Sequence, residues 1–254
     1  MGAGHSHALY VHEHSVVHGM TPQAKLVAAL GMVASIAITP REAVWAFAIY
    51  AAVIIGLTRL SRIRAGFVAV RLLAVTPFVV FALFIPFIAS GETTEILGVT
   101  VSIDGLWGTW NILVKALLGA SVSILLTATT EIPDIIRGLS ILHVPALFIS
   151  ITTFMIRYLE LITDELGRMR VAMTSRGYNP RWISQARPIA SSAGALFVRS
   201  YERGERVHAA MLARGFTGEM PMPDTEPADR SQWAGVLLLV GSFAAVAIAA
   251  LVIV

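Results

Sequence analysis

Residues 164–178 read DELGRMRVAMTSRGY and residues 202–216 read ERGERVHAAMLARGF, and the two segments align without a gap at an offset of 38 residues. Both contain an acid, an arginine four residues later, a short apolar stretch, and then a small residue, arginine, glycine and an aromatic residue. Their amphipathic periodicity predicts that each segment is the end of a helix. The repeat therefore predicts two matching helix ends, as two matching sites on a soluble partner would require.

The chain around this repeat is strongly apolar. Its 254 residues are 56% hydrophobic and only 14% charged, and its mean hydropathy is +0.73, outside the range of soluble globular proteins. This composition predicts an integral membrane protein. The sequence contains no cysteine, which excludes disulfides, thiolate metal sites and a cysteine nucleophile.

Several segments are apolar and long enough, or nearly so, to cross a bilayer as helices, which takes roughly 20 residues. The predicted spans are 23–39, 43–58, 67–89, 110–129 and 233–254. Pro77 and Pro86 lie inside the third span and are expected to kink or interrupt it.

Charges in the loops predict the orientation. Four arginines cluster around the connection between the second and third spans, which favours a cytoplasmic position for that loop and for the N-terminus: Arg59, Arg62, Arg64 and Arg71. Ten of the 19 lysines and arginines lie between residues 157 and 214, which indicates a cytoplasmic region more simply than nucleic-acid binding. Segment 144–163 is also apolar, but both of its flanks look cytoplasmic. We expect it to lie along the inner face of the membrane, with a sixth span as the alternative.

These features predict an all-α polytopic membrane protein with about five or six transmembrane helices and long amphipathic cytoplasmic helices. The predicted parts are a His-rich cytoplasmic tail (1–20), a four-helix transmembrane region (21–130), a cytoplasmic or interfacial helical region (131–216), a linker (217–232) and a C-terminal transmembrane helix (233–254). Periodicity places Ile162, Leu166, Met169 and Met173 on one face of the helix that contains the first repeat, and Leu196, Phe197, Tyr201, Gly204, Val207 and Met211 on one face of the next.

Gly177 and Gly215 stand where a helix is expected to end in a left-handed cap, which puts Arg176 and Arg214 in the last turn. An exposed capping arginine is the ordinary explanation for either residue alone. Because the neighbouring acid, arginine, alanine and methionine are also repeated, a function is favoured. A planar guanidinium at the tip of a rigid helix suits an acidic groove on a partner.

Two other groups of charged or metal-binding residues have competing interpretations. The tail residues His5, His7, His12, His14 and His18 could hold a divalent cation as a weak entry or buffering site, but adventitious affinity of a flexible tail is the simpler interpretation. Lys115 is the one formal charge well inside a predicted span. It is either functional or extends to the membrane surface.

The sequence resembles the transmembrane T component of energy-coupling-factor (ECF) transporters, specifically the cobalt-type CbiQ family. The similar segments are TPQAKL (21–26), LTATTEIPD (126–134) with HVP (143–145), MIRY (155–158) and RSYERGERV (199–207). The two tips, Ser175-Arg176-Gly177 and Ala213-Arg214-Gly215, resemble the family's paired Ala-Arg-Gly coupling motifs, with Ser175 in place of alanine. The resemblance covers about residues 18–220.

The resemblance implies a scaffold that is not an enzyme and binds no cofactor itself. ATP and Mg²⁺ would be bound by two ECF ATPase subunits that dock on the coupling helices through the two tips. Other implied partners are the lipid bilayer and a membrane-embedded substrate-binding S component for Co²⁺, with or without a small accessory membrane subunit, and no nucleic acid. The implied location is the cytoplasmic membrane of a bacterium or archaeon.

Two alternatives stay open at this point. Nickel is an alternative cargo, because in the family the S component rather than the T component selects the ion. A self-sufficient secondary transporter is the other alternative. It is disfavoured because the spans carry almost no ionisable residue apart from Lys115.

Overall fold

The computed structural model describes residues 10, 11, 13, 15–89, 93–96, 99–180, 182, 185–218 and 229–253. These residues are mostly helical, which confirms the predicted all-α polytopic class. The helices are α1 (Pro22–Ile38), α2 (Val44–Leu60), α3 (Ala65–Leu72), α4 (Thr76–Ile88), α5 (Ile103–Thr129), α6 (Ile132–Ile141), α7 (Ala146–Ser175), α8 (Arg187–Leu212) and α9 (Arg230–Ile253). A short antiparallel hairpin of β1 (Thr93–Ile96) and β2 (Val99–Ser102), which the sequence did not predict, lies between α4 and α5.

The chain folds as two compact units. The core unit comprises residues 9–138 and 225–254, and so contains α1 to α5, most of α6, and α9. The arm unit contains residues 139–224, with α7 and α8 as its long helices.

Helix lengths fit a multi-pass membrane protein. In the described ranges, the stretches 65–88, 103–129, 146–175 and 230–253 are long and apolar enough to cross a bilayer, whereas α1 and α2 are apolar helices of 17 residues each. The third predicted span is interrupted by a 3₁₀ turn at Leu73–Val75, just before Pro77, whereas Pro86 lies inside α4. The predicted interruption is confirmed next to Pro77, whereas α4 continues through Pro86.

The fourth predicted span, 110–129, begins seven residues earlier than expected, at Ile103. Ser102 is the N-cap residue, and its hydroxyl accepts a hydrogen bond from the amide of Gly105 at 3.3 Å. Asp104 lies in the first turn, where a negative charge is favourable. The apolar run missed this start because Asp104, Gly105, Gly108 and Thr109 interrupt the hydropathy of the first two turns.

Segment 144–163 is the first part of the single 30-residue helix α7, which begins directly after Pro145. The predicted continuity with the following amphipathic segment is confirmed. At about 1.5 Å per residue α7 is roughly 45 Å long. Its length and composition therefore match the sixth-span alternative as well as the interfacial one.

The centre of the core unit is built mainly from α1, α2, α5 and α9. Tyr50 of α2 is fully buried there, and its ring stacks on Phe243 of α9 with 4.6 Å between centroids. The Tyr50 hydroxyl donates to the carbonyl of Phe243 at 3.1 Å, so its polar end is satisfied inside an apolar core.

Two lysines join the antiparallel helices α1 and α5 at opposite ends. Lys25 Nζ donates to the carbonyl of Thr129, the last residue of α5, at 2.8 Å, and to the carbonyl of His18 at 3.0 Å. Lys115 Nζ donates to the carbonyl of Ala37 in the last turn of α1 at 2.8 Å. A positive charge at a helix C-terminus is stabilising. Each helix therefore supplies the cation for the other's C-terminal end, which gives Lys115 a structural partner.

We expect Lys25→Met to destabilise the protein more than Lys115→Met. Lys25 is 7% exposed, and its removal leaves two carbonyls without a donor, at a cost of about 1–3 kcal/mol for each buried group left unpaired. Lys115 serves one carbonyl. Thermal unfolding in detergent measures the difference. Equal melting temperatures for the two variants would contradict the assignment.

Candidate functional site

Helices α7 and α8 of the arm unit pack side by side in opposite directions. The hydroxyl of Ser192 contacts the sulfur of Met173 at 3.5 Å near one end of the pair. Further along, Glu165 accepts a hydrogen bond from Arg199 at 3.2 Å and forms an ion pair with Arg203 at 3.6 Å. Residues with higher numbers on α8 thus contact residues with lower numbers on α7, so the two helices are antiparallel.

The 38-residue repeat is also present in the pattern of burial. Both helices have a half-buried stripe with the same 4-4-3-4-4 spacing, which is one face of a helix. The stripe of α7 is Phe154, Tyr158, Ile162, Glu165, Met169 and Met173, and that of α8 is Ser192, Leu196, Ser200, Arg203, Val207 and Met211. The pair therefore has an approximate local two-fold axis. Glu165 and Arg203 occupy equivalent positions, so their ion pair lies at its centre.

Part of the predicted stripe was wrong. Leu166 is 49% exposed, Phe197 72% and Tyr201 61%, and Gly204 is also exposed. The buried face of each helix therefore differs from the predicted apolar face. Glu165 of α7 pairs with arginines of α8, and these charged residues occupy the centre of the contact. Periodicity alone does not reveal this pairing, since the partners are 34 and 38 residues apart.

The end of α7 is a Schellman cap. The amide of Tyr178 donates to the carbonyl of Met173 at 3.1 Å, and the amide of Gly177 donates to that of Thr174 at 2.9 Å. This motif needs a residue with positive φ after the helix, and Gly177 has φ of +80°.

The end of α8 repeats this cap bond for bond. The amide of Phe216 donates to the carbonyl of Met211 at 3.0 Å, and the amide of Gly215 donates to that of Leu212 at 3.0 Å. Gly215 has φ of +81°. The predicted left-handed glycine caps are confirmed at both helix ends.

Arg176 and Arg214 occupy equivalent positions directly before these glycines, and both are exposed. Among the described residues, neither guanidinium has an ion-pair partner, in contrast to Arg206, which pairs with Glu202 at 3.9 Å. At about 1.5 Å per residue, each arginine lies roughly 16 Å along its helix from the central ion pair, in opposite directions. The arm unit thus presents Arg176 and Arg214 on identical caps, with their backbone positions about 33 Å apart along the helix pair.

Ser175 and Ala213 precede the two arginines and are also exposed. Both side chains are too short to cover the neighbouring guanidinium. The two tips therefore offer the same small-arginine-glycine surface, and the difference between serine and alanine adds only a hydroxyl.

Most of the predicted histidine tail lies outside the described residues, namely His5, His7, His12 and His14. His18 is described, and its ring nitrogens lie 2.7 Å from the Ser15 hydroxyl and 3.1 Å from the Val11 carbonyl. In the part of the chain that the structure describes, no group of three or more histidine, aspartate or glutamate side chains is placed to hold a metal ion.

A family model described as a cobalt transport protein, CbiQ, matches residues 13–224. The chain belongs to the CbiQ family. It is 30% identical over 116 residues to the cobalt transport protein CbiQ of Rhodobacter capsulatus, covering 44% of this chain and 46% of that protein. It is 23% identical over 224 residues to the energy-coupling factor transporter transmembrane protein EcfT of Thermotoga maritima, covering 84% and 81%.

A third relative is the nickel permease LarQ of Lactiplantibacillus plantarum, which is 34% identical over 90 residues, 35% of this chain and 33% of that protein. The chain spans less than half the length of several curated relatives that it matches, including the Rhodobacter capsulatus protein.

In this CbiQ-family protein the TPQAKL segment has a structural role that the sequence did not reveal. The amide and the hydroxyl of Thr21 both donate to Oε1 of Gln232, at 3.0 Å and 2.9 Å. Gln232 of α9 thus supplies the acceptor at the start of α1, where Thr21 makes no side-chain cap of its own. The partners are 211 residues apart, beyond the reach of any local sequence signal.

Proposed function

We propose that this protein is the transmembrane coupling component of an ATP-driven cobalt importer. It hydrolyses nothing itself. Two ATPase subunits, which hold ATP and Mg²⁺, dock on α7 and α8, with Arg176 entering one subunit and Arg214 the other. A membrane-embedded S component binds Co²⁺, with or without a small accessory membrane subunit.

The observation that carries this proposal is the pair of identical helix ends. Two copies of one ATPase need two equivalent contacts, and a two-fold pair of subunits matches a two-fold pair of helices. The Schellman caps fix the direction in which each chain leaves its helix, so each arginine is presented without a flexible linker. Each guanidinium is exposed and has no ion-pair partner among the described residues, so it is available to donate to carboxylates or carbonyls of another chain.

Closure of the ATPase pair on ATP would move the two tips, and α7 would carry that motion along its length. The first turns of α7 expose Leu147, Phe148, Ile151 and Met155, which are 55–65% accessible. An apolar helix face of this kind suits lipid or a membrane-embedded partner. In the proposed importer this apolar face of α7 contacts the S component. One helix then connects the ATPase contact to the cargo-binding subunit.

Nickel is the second candidate cargo, because the chain is 34% identical over 90 residues to a nickel permease. A self-sufficient secondary transporter is less well supported. Lys25 and Lys115, the lysines within α1 and α5, each donate to carbonyls at a helix end. Both cations therefore have structural partners.

The test is accumulation of radiolabelled Co²⁺ or Ni²⁺ in cells that express this chain with the ATPase and S-component genes. Cobalt uptake should need all three components and should stop when ATP is depleted. Uptake by this chain without the ATPases would establish the secondary transporter instead. Accumulation of nickel without cobalt would establish the nickel alternative.

A further inference from the structure

A cavity of about 780 Å³ opens on the surface of the core unit, where the segment before α1 lies beside the end of α2. Its lining combines hydroxyls, charged groups and two apolar side chains. The lining residues are Tyr10, Glu13, Ser15, Val16, His18, Gly19, Arg59, Leu60 and Arg62.

The cavity is positively charged. Arg59 and Arg62 have no ion-pair partner among the described residues, and Glu13 is the acid in the lining. Burial lowers the pKa of His18 below its ordinary value of 6.5, so the imidazole is neutral at pH 7. Two guanidiniums against one carboxylate leave a net charge that favours an anion.

Arg62 adopts a backbone conformation that residues with a side chain rarely adopt, with φ of +56°. The amide of Ile63 donates to the carbonyl of Thr58 at 3.4 Å, and the amide of Arg62 donates to that of Arg59 at 3.0 Å. This is the cap that ends α7 and α8, but with arginine at the position where those helices have glycine. Glycine at this position would relieve the backbone strain, so replacement of Arg62 by glycine should not weaken the cap.

Two apolar side chains, Leu60 and Val16, form what we call the apolar rim of the cavity. Leu60 is 61% exposed and Val16 is 81% exposed, and both line the cavity together with Arg59 and Arg62. Leu60 is also the last residue of α2, an apolar helix of a membrane protein, so the cavity lies where that helix ends. A small soluble anion would leave this apolar rim in water, whereas the acyl chains of a lipid would cover it.

We propose that this cavity binds the phosphate group of an anionic phospholipid. Arg59 and Arg62 donate to the phosphate oxygens, as basic clusters at the ends of membrane helices do for lipid head groups. The acyl chains run past Leu60 and Val16. The lipid would fix the segment before α1 against the end of α2.

The decisive variant is Arg62→Gly, because glycine removes the guanidinium and also relieves the backbone strain. Arg59→Gln removes the second guanidinium without changing the cap. His143→Gly is the matched backbone control: His143 has φ of +63° in the same kind of cap but does not line the cavity. Arg64→Gln is the matched charge control, since Arg64 is exposed and near in sequence but also outside the lining.

The melting temperature of each full-length variant is measured in neutral detergent with no addition, with palmitoyl-oleoyl phosphatidylglycerol, with the matching phosphatidylcholine, and with inorganic phosphate. Phosphatidylglycerol should raise the melting temperature of the wild type and of both controls by roughly 3–6 °C. It should raise those of R62G and R59Q by less than a third of that, although R62G without lipid should be at least as stable as the wild type.

Three results would overturn the proposal. R62G and R59Q could respond to phosphatidylglycerol as strongly as the wild type does. R64Q could lose the response as fully as R59Q, which would indicate unspecific attraction to charge. Inorganic phosphate could reproduce the whole shift, which would assign the cavity to a soluble anion.

Discussion

The variant R176A/R214A should lose ATP-driven cobalt uptake and should no longer co-purify with the ATPase pair. Each arginine is exposed, has no ion-pair partner among the described residues, and lies on a rigid cap. Interface arginines of this kind typically contribute about 2 kcal/mol or more to binding, which is roughly a 30-fold change in affinity for each. Since the tips are about 33 Å apart, their contributions should add.

The single variants R176A and R214A should have much weaker effects on co-purification than the double variant. One intact tip keeps its ATPase bound, and the second contact then forms at a high effective concentration. Uptake should nevertheless fall in both single variants, because motion would be transmitted through one helix only. A full loss of association in one single variant and none in the other would contradict equivalent tips.

The matched control is R168A/R206A. Arg168 and Arg206 are also related by the offset of 38 residues and lie on the same two helices, but about two turns before the tips. The control removes the same charge from the same helices. If it abolished association as fully as R176A/R214A, general attraction to a basic surface would explain the result and the tips would have no special role.

The second large effect is expected for G177A/G215A. Both glycines have φ near +80°, where an alanine costs about 1–2 kcal/mol. The arginines themselves are unchanged, but the cap that directs them is disfavoured. If docking needs both caps, the docked population should fall roughly tenfold for each 1.4 kcal/mol. We therefore expect uptake to fall by at least tenfold while the protein still inserts and purifies normally.

The control for this variant is G167A/G204A, with one glycine inside α7 and one inside α8. A Cβ atom added at either position meets nothing within 4 Å, and both residues are helical. Alanine should stabilise these helices by up to about 1 kcal/mol at each site. Uptake should be retained in the control. Wild-type uptake in G177A/G215A would show that the direction of the arginines does not matter.

The sequence predicted local features well. Glycine after a helix, proline at an interruption and arginine beside glycine are each decided by residues within one or two turns, and the structure confirms the two caps and the break before Pro77. Of the predicted spans, the third, fourth and fifth correspond to stretches long and apolar enough to cross a bilayer, because an apolar run of about 20 residues is visible in the sequence itself. The start of α5 was missed because a side-chain cap at Ser102, and not hydropathy, decides it.

Contacts between distant residues were not predicted. Glu165 with Arg199, Thr21 with Gln232, and Lys25 with the end of α5 join positions 34, 211 and 104 residues apart. A single sequence contains no signal for such pairs. The hairpin at 93–102 was also missed, although threonine and valine, which favour strands, are frequent in it.

The chain contains no cysteine, so a single thiol introduced at either tip reports only on that tip, and this allows the most direct test of the proposed docking. The variants S175C and A213C are prepared separately, and a maleimide-benzophenone reagent is attached to the single thiol of each. The reagent is activated by light in membranes that also contain the ATPase subunits and the S component. Each position should crosslink to the ATPase, and neither thiol should react with a membrane-impermeant maleimide added outside intact cells. Labelling from outside, or crosslinks only within this chain, would contradict the proposed docking of two ATPases on two matching tips.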